Sequence, residues 1–150
     1  MNSHVRVRVR GEQAFPDHPG ERPEPVQSEA AGRYRLVAGR HHFSFDETLE
    51  GTTAATRNHV IVGPDRVEVR KNGPVVTSMI FEKGKRHPMV YRTAFGQLSM
   101  EIQTKELTVE EDEERMTVTL RYRIRSGSQT VSENVTVLEF SSEGSHSRHP

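Results

Sequence analysis

The sequence predicts an all-β fold of about ten short strands, and three observations carry that expectation. Val occurs 17 times and Leu 6 times, with 12 Thr beside 7 Ala, a bias toward β-branched side chains, which suit a pleated surface better than a helix. Apolar residues recur with period two in short segments separated by turn residues. No stretch of about ten residues carries the 3.6-residue apolar stripe of an amphipathic helix, and Gly51 to Thr56 has room for a helical turn at most.

The first element is Val5 to Arg10, where Val5, Val7 and Val9 alternate with Arg6, Arg8 and Arg10. Gly11 to Pro25 then holds four of the eight prolines and reads as a long loop, because proline has no amide hydrogen to give to a ladder. Strands resume at about Tyr34 and run to Phe140. Phe43 and Phe45 flank Ser44, Val67 and Val69 flank Glu68, and Val75, Thr77, Met79 and Phe81 share one parity. Gly63-Pro64-Asp65, Asn72-Gly73, Lys83-Gly84-Lys85 and Ser126-Gly127-Ser128 supply the turns between strands. The tail Ser141 to Pro150 is small and polar and is expected to be disordered.

Leu98 to Val109 and Met116 to Ile124 form the best-determined hairpin. Met116, Val118, Leu120, Tyr122 and Ile124 share one face, with Thr117, Thr119, Arg121, Arg123 and Arg125 on the other. On the partner strand Leu98, Met100, Ile102 and Thr104 are even-numbered while Leu107 and Val109 are odd-numbered. That change of parity predicts a β-bulge at Lys105 or Glu106, with Ile102 opposite Tyr122, Thr104 opposite Leu120 and Leu107 opposite Val118. The same register sets Glu101 opposite Arg123, an exposed pair worth about 0.2–1 kcal/mol. Bulges bend strands, and bent strands close barrels. In the last hairpin, opposing Ile124 to Val131 turns Glu133 inward beside Tyr122. A carboxylate on an apolar face needs a donor, so either Glu133 sits at an open rim in water or a bulge at Ser132 turns it out.

Composition bounds the function. The 150 residues suit one domain spanning 1–150. Leu, Ile, Val and Phe total 33, just above the roughly 20% below which a highly charged chain stays disordered. Lys plus Arg and Asp plus Glu count 21 each, so no global field draws the chain to nucleic acid or anionic lipid. With no cysteine there is no thiolate nucleophile or thiolate metal site, and a reducing cytoplasm suits the chain. No run of about 7 to 15 apolar residues marks a signal peptide, and none reaches the ~18 of a spanning helix.

FSFDETLEG from Phe43, RKNG from Arg70, TSMIFEKG from Thr77 and YRTAFGQLSMEIQTKEL from Tyr91 resemble the YwiB-like family of uncharacterised bacterial proteins. The resemblance covers about Phe43 to Phe140 and implies a single antiparallel calycin, or lipocalin-like, β-barrel of about 8–10 strands. The family's aromatic, threonine and Phe/Tyr-Gly turn pattern is matched by Tyr91, Thr93, Phe95 and Gly96, while Ala94 stands where that pattern has proline. The resemblance implies no established activity.

The constellations that carry chemistry are sparse. Ser44, Ser78 and Ser99 have no histidine that the pattern brings beside them. His41 and His42 are consecutive and face opposite sides of a strand, and no HxH or HExxH spacing occurs. Glu110 to Glu114 lacks the alternating ligands and glycine of a calcium loop and reads as a solvated hairpin tip. Arg6, Arg8 and Arg10, with Arg121, Arg123 and Arg125, form two cationic stripes; phosphate contact is one reading, and a charged face that keeps the sheet soluble is the other. No aromatic is interleaved on those faces. Catalysis, a metal and a cofactor are therefore not expected.

The lumen remains. An eight-to-ten-stranded barrel holds its own side chains or one small ligand. Tyr91, Thr93, Thr104 and Tyr122 are the inward polar candidates, with Glu133 if it turns in, and with Arg70 from the RKNG segment, although alternation with Val69 puts Arg70 on the outer face. Two readings follow: a non-catalytic cytoplasmic protein binding a small apolar ligand in the barrel, or an interaction module with a side-chain-filled barrel and a protein partner or homodimer mate outside. A lumen of about 300 Å³ or more lined by those residues favours the first. Nucleic acid and membrane are not expected partners.

Overall fold

A computed structural model describes residues 1–17, 20, 23–48 and 54–143 and shows ten strands. They are β1 (His4–Ala14), β2 (Val26–Val37), β3 (Arg40–Thr48), β4 (Ala55–Val62), β5 (Val67–Asn72), β6 (Val76–Phe81), β7 (Arg86–Thr93), β8 (Gly96–Glu111), β9 (Arg115–Ser126) and β10 (Gln129–Ser142). Each pairs antiparallel with its neighbours in sequence, and β1 also pairs with β10 from Val5 opposite Ser142 to Ala14 opposite Glu133, closing the barrel. Closure leaves no row of unpaired backbone groups along an outer strand. Among the described residues, no helix is long and apolar enough to cross a membrane.

Alternation puts one face of every strand into the lumen. Val5, Val7, Phe43, Phe45, Val60, Val62, Val67, Val69, Phe81, Met89, Ile102, Met116, Val118, Leu120, Leu138 and Phe140 form the core. Phe43 stacks on Phe140 with ring centroids 3.7 Å apart and fills the end of the lumen near the N-terminus. That end is closed further by chain crossings. Ser142 Oγ accepts the Asn2 amide at 2.9 Å, Ser3 O accepts the Tyr34 amide at 2.9 Å, and the Tyr34 hydroxyl meets His41 Nδ1 at 2.8 Å.

The bulge predicted on β8 is present: register shifts between Thr104 and Glu106, which leaves Lys105 unopposed. The register around it differs by two residues from the expected one. Ile102 lies opposite Ile124, Thr104 opposite Tyr122 and Leu107 opposite Leu120. Parity alone cannot separate registers two residues apart, because both keep the same faces inward. Glu101 accordingly lies opposite Arg125 rather than Arg123, and its ion pair is with Arg86 at 3.7 Å. On β10 a second bulge falls between Thr130 and Ser132. Val131 is left exposed, Ser132, Asn134, Thr136, Leu138 and Phe140 turn inward, and Glu133 points out to accept a hydrogen bond from Arg123 Nε at 2.7 Å.

Three boundaries differ from the sequence expectation. Strand β1 continues through Gly11 to Ala14, so the proline-rich loop of 11–25 shrinks to residues 15–25; no proline precedes Pro16, and β10 offers partners from Thr136 to Glu133. At the other end Ser141 and Ser142 belong to β10 and Ser142 is fully buried, so the polar tail starts later than 141; residues 144–150 lie outside the described residues. Thr56 is in β4, and residues 51–53 of the expected helical turn also lie outside the described residues.

Strand β2 begins eight residues before Tyr34. Its inward residues Ser28, Ala30 and Gly32 are too small to announce a strand, yet their size is what the packing requires. A Cβ on Gly32 would sit 2.8 Å from the Ser44 carbonyl oxygen, 3.1 Å from Val7 Cγ2 and 3.3 Å from Phe45 Cβ. The first of these is ladder backbone and cannot move aside. We expect Gly32→Ala to destabilise the fold by about 1–3 kcal/mol, the usual cost of overpacking, as read by urea denaturation. Gly11→Ala, where no atom lies within 4 Å of the added Cβ, should cost under half as much; equal losses would contradict this packing.

Candidate functional site

Three strands run apolar alternation into polar residues at the same end of the barrel. Phe43 and Phe45 lead to Glu47 on β3, Val62 and Val60 lead to Asn58 on β4, and Val67 and Val69 lead to Lys71 on β5. Hydrogen bonds join them. Glu47 Oε1 accepts from Asn58 Nδ2 at 2.7 Å and from Lys71 Nζ at 3.4 Å, and Glu47 Oε2 accepts from Ser28 Oγ at 3.1 Å. The end opposite the Phe43–Phe140 stack is therefore a neutral polar rim built on an ion pair.

Behind this rim the lumen is open. A cavity of about 210 Å³ is bounded by apolar Phe45, Val60, Val69, Met79, Leu120 and Leu138, with Glu47, Asn58 and Lys71 on one wall and Tyr122 and Thr136 on another. A neighbouring cleft of about 280 Å³ between β1, β10 and residues 23–26 shares Gly11, Val26, Tyr122 and Thr136 with it. There Asn134 accepts from Gln13 at 3.0 Å and donates to Ser132 Oγ at 3.0 Å.

Of the residues singled out from sequence, Tyr122 alone lines the cavity. Its ring meets Phe81 edge-on at 4.8 Å and its hydroxyl lies 3.2 Å from Thr136 Oγ1. Burial pushes the phenol pKa above its usual value, and the hydrogen bond with Thr136 offsets this only in part. Tyr91 is half-buried against the core beside Thr77 and Leu98. Thr93 holds the β7–β8 turn, accepting the Phe95 amide at 3.1 Å and donating to Gly96 O at 3.2 Å, which steadies a turn that has Ala94 in place of proline. Thr104 is buried at the β8 bulge with no partner for its hydroxyl. Glu133 and Arg70 face outward, with Arg123 and Glu68 as their partners.

Glu47, Asn58 and Lys71 were missed, although the signal was present: a polar residue in phase with an apolar alternation at one shared end. Each looks like a surface residue when its strand is read alone.

The family described as "Domain of unknown function (DUF1934)" matches residues 7–138. No curated protein matches the chain. Among solved structures, the crystal structure of ywiB protein from Bacillus subtilis is similar with a TM-score of 0.78 and 19% identity, over 93% of this chain and 91% of that one. At that identity the likeness speaks to the fold.

Two outcomes check the site geometry. Removing the carboxylate in Glu47→Leu strands the Lys71 and Asn58 donors and should cost about 1–3 kcal/mol; Lys71→Met in the same chain should recover part of that loss in a double-mutant cycle. Additive losses would show that the ion pair is not coupled. For Tyr122 the folded state holds its proton above the unfolded value of 10.0, so its contribution is complete below pH 10 and is lost as pH rises further. Tyr122→Phe should therefore flatten the alkaline fall in stability, while the lost Thr136 bond costs about 0.5–1.5 kcal/mol at neutral pH.

Proposed function

We propose that this chain, which belongs to the DUF1934 family of domains of unknown function, is a non-catalytic cytoplasmic barrel that holds a small amphipathic molecule in the open end of its lumen. The observation that carries this reading is the cavity itself: apolar walls that end at the Glu47–Asn58–Lys71 rim on one side and the Tyr122 hydroxyl on the other. Its volume of about 210 Å³ falls short of the ~300 Å³ expected of a ligand lumen, and of the four residues expected to line it only Tyr122 does, so the reading is limited to a ligand smaller than a drug-sized one, with the adjoining cleft available for an extension. Because the rim's charges cancel, it suits a neutral or zwitterionic head. The two Lys71 hydrogens not directed at Glu47 and the Tyr122 hydroxyl are the donors such a head would meet.

The absence of catalysis belongs to the same proposal. Among the described residues, Glu47 is the one carboxylate lining the cavity, and its two oxygens already accept from Ser28, Asn58 and Lys71. The Glu47 carboxylate is thus committed to these partners rather than aimed at a substrate.

A second reading rests on the β7–β8 tip, where Phe95 is fully exposed and Leu98 beside it is 61% exposed. Exposed aromatics are a recurring feature of partner-binding surfaces, and an interaction module would use this tip without needing the lumen.

Native mass spectrometry of protein purified from its own host separates the two. We expect one non-covalent adduct per chain, reduced in Lys71→Met and retained in Phe95→Ser. A bare mass for the wild-type chain, with loss of a co-purifying protein in Phe95→Ser, would transfer the function to the tip.

A further inference from the structure

We propose that the outer face of β2 to β7 is a binding track for single-stranded nucleic acid. The proposal is independent of the lumen reading and rests on what strand register does to the charges.

Five of the six arginines in the stripes visible in the sequence are paired with neighbouring carboxylates, while Arg125 donates to Ser128 O instead. Arg8 lies opposite Glu29 on β2 and Glu139 on β10 and pairs with both, at 2.9 and 3.8 Å. Arg6 reaches Glu29, Arg10 reaches Glu12, Arg121 reaches Glu106 and Arg123 reaches Glu133.

A different set of cations is assembled where no stripe can be read. Successive register partners on six strands form one outward row: Arg33, Ser44, His59, Arg70, Ser78 and Val90. This row contains no carboxylate. It crosses five inter-strand spacings of about 4.8 Å, roughly 24 Å in all, a length suited to several nucleotides rather than to one phosphate group. Arg35 and His42 flank it on one side, and Arg57 and Arg92 flank it on the other. Arg57 and Arg70 pair with Asp46 and Glu68; among the described residues, no carboxylate lies within 4.0 Å of Arg33, Arg35 or Arg92. Five arginines thus face two carboxylates. Two shallow troughs of about 440 and 420 Å³ share Arg57 and His59 and make the track continuous.

The middle of the track offers flat groups as well as charge. The His42 and His59 rings lie 5.2 Å apart, with His42 Nδ1 3.1 Å from His59 Nε2. Imidazole and guanidinium planes are surfaces on which unpaired bases stack, and exposed Val76 and Val90 add apolar surface on β6 and β7. This combination of a cationic track and stacking planes distinguishes single strands from a simple polyanion.

The histidines also give the track a pH response. Desolvation first, and then Arg35, Arg40 and Arg70, lower the pKa of His42; desolvation, His42, Arg70 and Arg35 lower that of His59; Glu68 opposes both shifts. A bound phosphate offsets the arginine repulsion and favours the protonated rings, so affinity should rise as pH falls.

The test is fluorescence anisotropy of the full chain with a labelled 12-nucleotide oligouridylate at about 50 mM salt, where phosphate contacts are weakly screened. We expect saturable binding, weakened at least tenfold in the Arg33→Gln, Arg70→Gln, Arg92→Gln triple variant. The slope of log affinity against log salt should fall by about 2, three contacts at roughly 0.7 each. Ser78→Glu, which places a carboxylate in the row with no arginine removed, should weaken binding in the same direction. Affinity should increase from pH 7.5 to pH 5.5, and His42→Gln with His59→Gln should remove that increase. The Arg6→Gln, Arg8→Gln, Arg10→Gln variant should bind as wild type does. The proposal is overturned by no binding at this salt, by equal weakening in the β1 variant, or by heparin or a duplex of equal length binding as tightly as the single strand.

Discussion

Closure of the sheet on itself is the constraint on which the other features depend. Once β1 pairs with β10 along ten residue pairs, every strand must send alternate side chains into one lumen, and the volume available to each is set by its neighbours. The small residues Ser28, Ala30 and Gly32 on β2 answer that limit beside Phe45 and Val7. The same limit governs the bulges. Without the extra residue at Lys105 on β8, Leu107 and Val109 would face water; without the one at Val131 on β10, Leu138 and Phe140 would turn outward.

The closed sheet is not uniform from end to end. Near the N-terminus the Phe43–Phe140 stack, Tyr34 with His41, and the Asn2 and Ser3 crossings leave the lumen filled. Toward the other end the inward positions become Glu47, Asn58, Lys71, Asn134 and Thr136; Glu47 bonds to Asn58 and Lys71, Asn134 to Gln13 and Ser132, and Thr136 to Tyr122. Polar groups packed this way need fixed partners, and the cavity lies between the Glu47–Asn58–Lys71 group and the Tyr122–Thr136 pair.

Much of the fold was legible because its signal is local. Alternation of Met116 to Ile124, the turn residues at Gly63 and Gly127, and the parity change before Leu107 are each contained in one or two strands. The site was less so. Glu47, Asn58 and Lys71 become a group only after three strands are laid side by side, and Glu133 could not be placed until the β10 bulge set its parity. Thr93 illustrates the converse case: expected among the inward polar residues, it has a hydroxyl that serves the turn that follows it. The outer face obeys the same rule, since register brings Glu29 and Glu139 to the obvious arginine stripe and assembles Arg33, His59 and Arg70 where no stripe exists.

The central claim is that one end of the barrel is filled by its own side chains and that the cavity at the other end is a ligand site, as proposed above. Methyl-resolved NMR spectra, recorded on protein as isolated from its host and again after unfolding, dialysis and refolding, test it most directly. The account predicts shifts at Val60, Val69, Met79, Leu120 and Leu138, with Val5, Val62, Val67 and Met116 unchanged. Superimposable spectra, or changes spread equally over both groups, would contradict it.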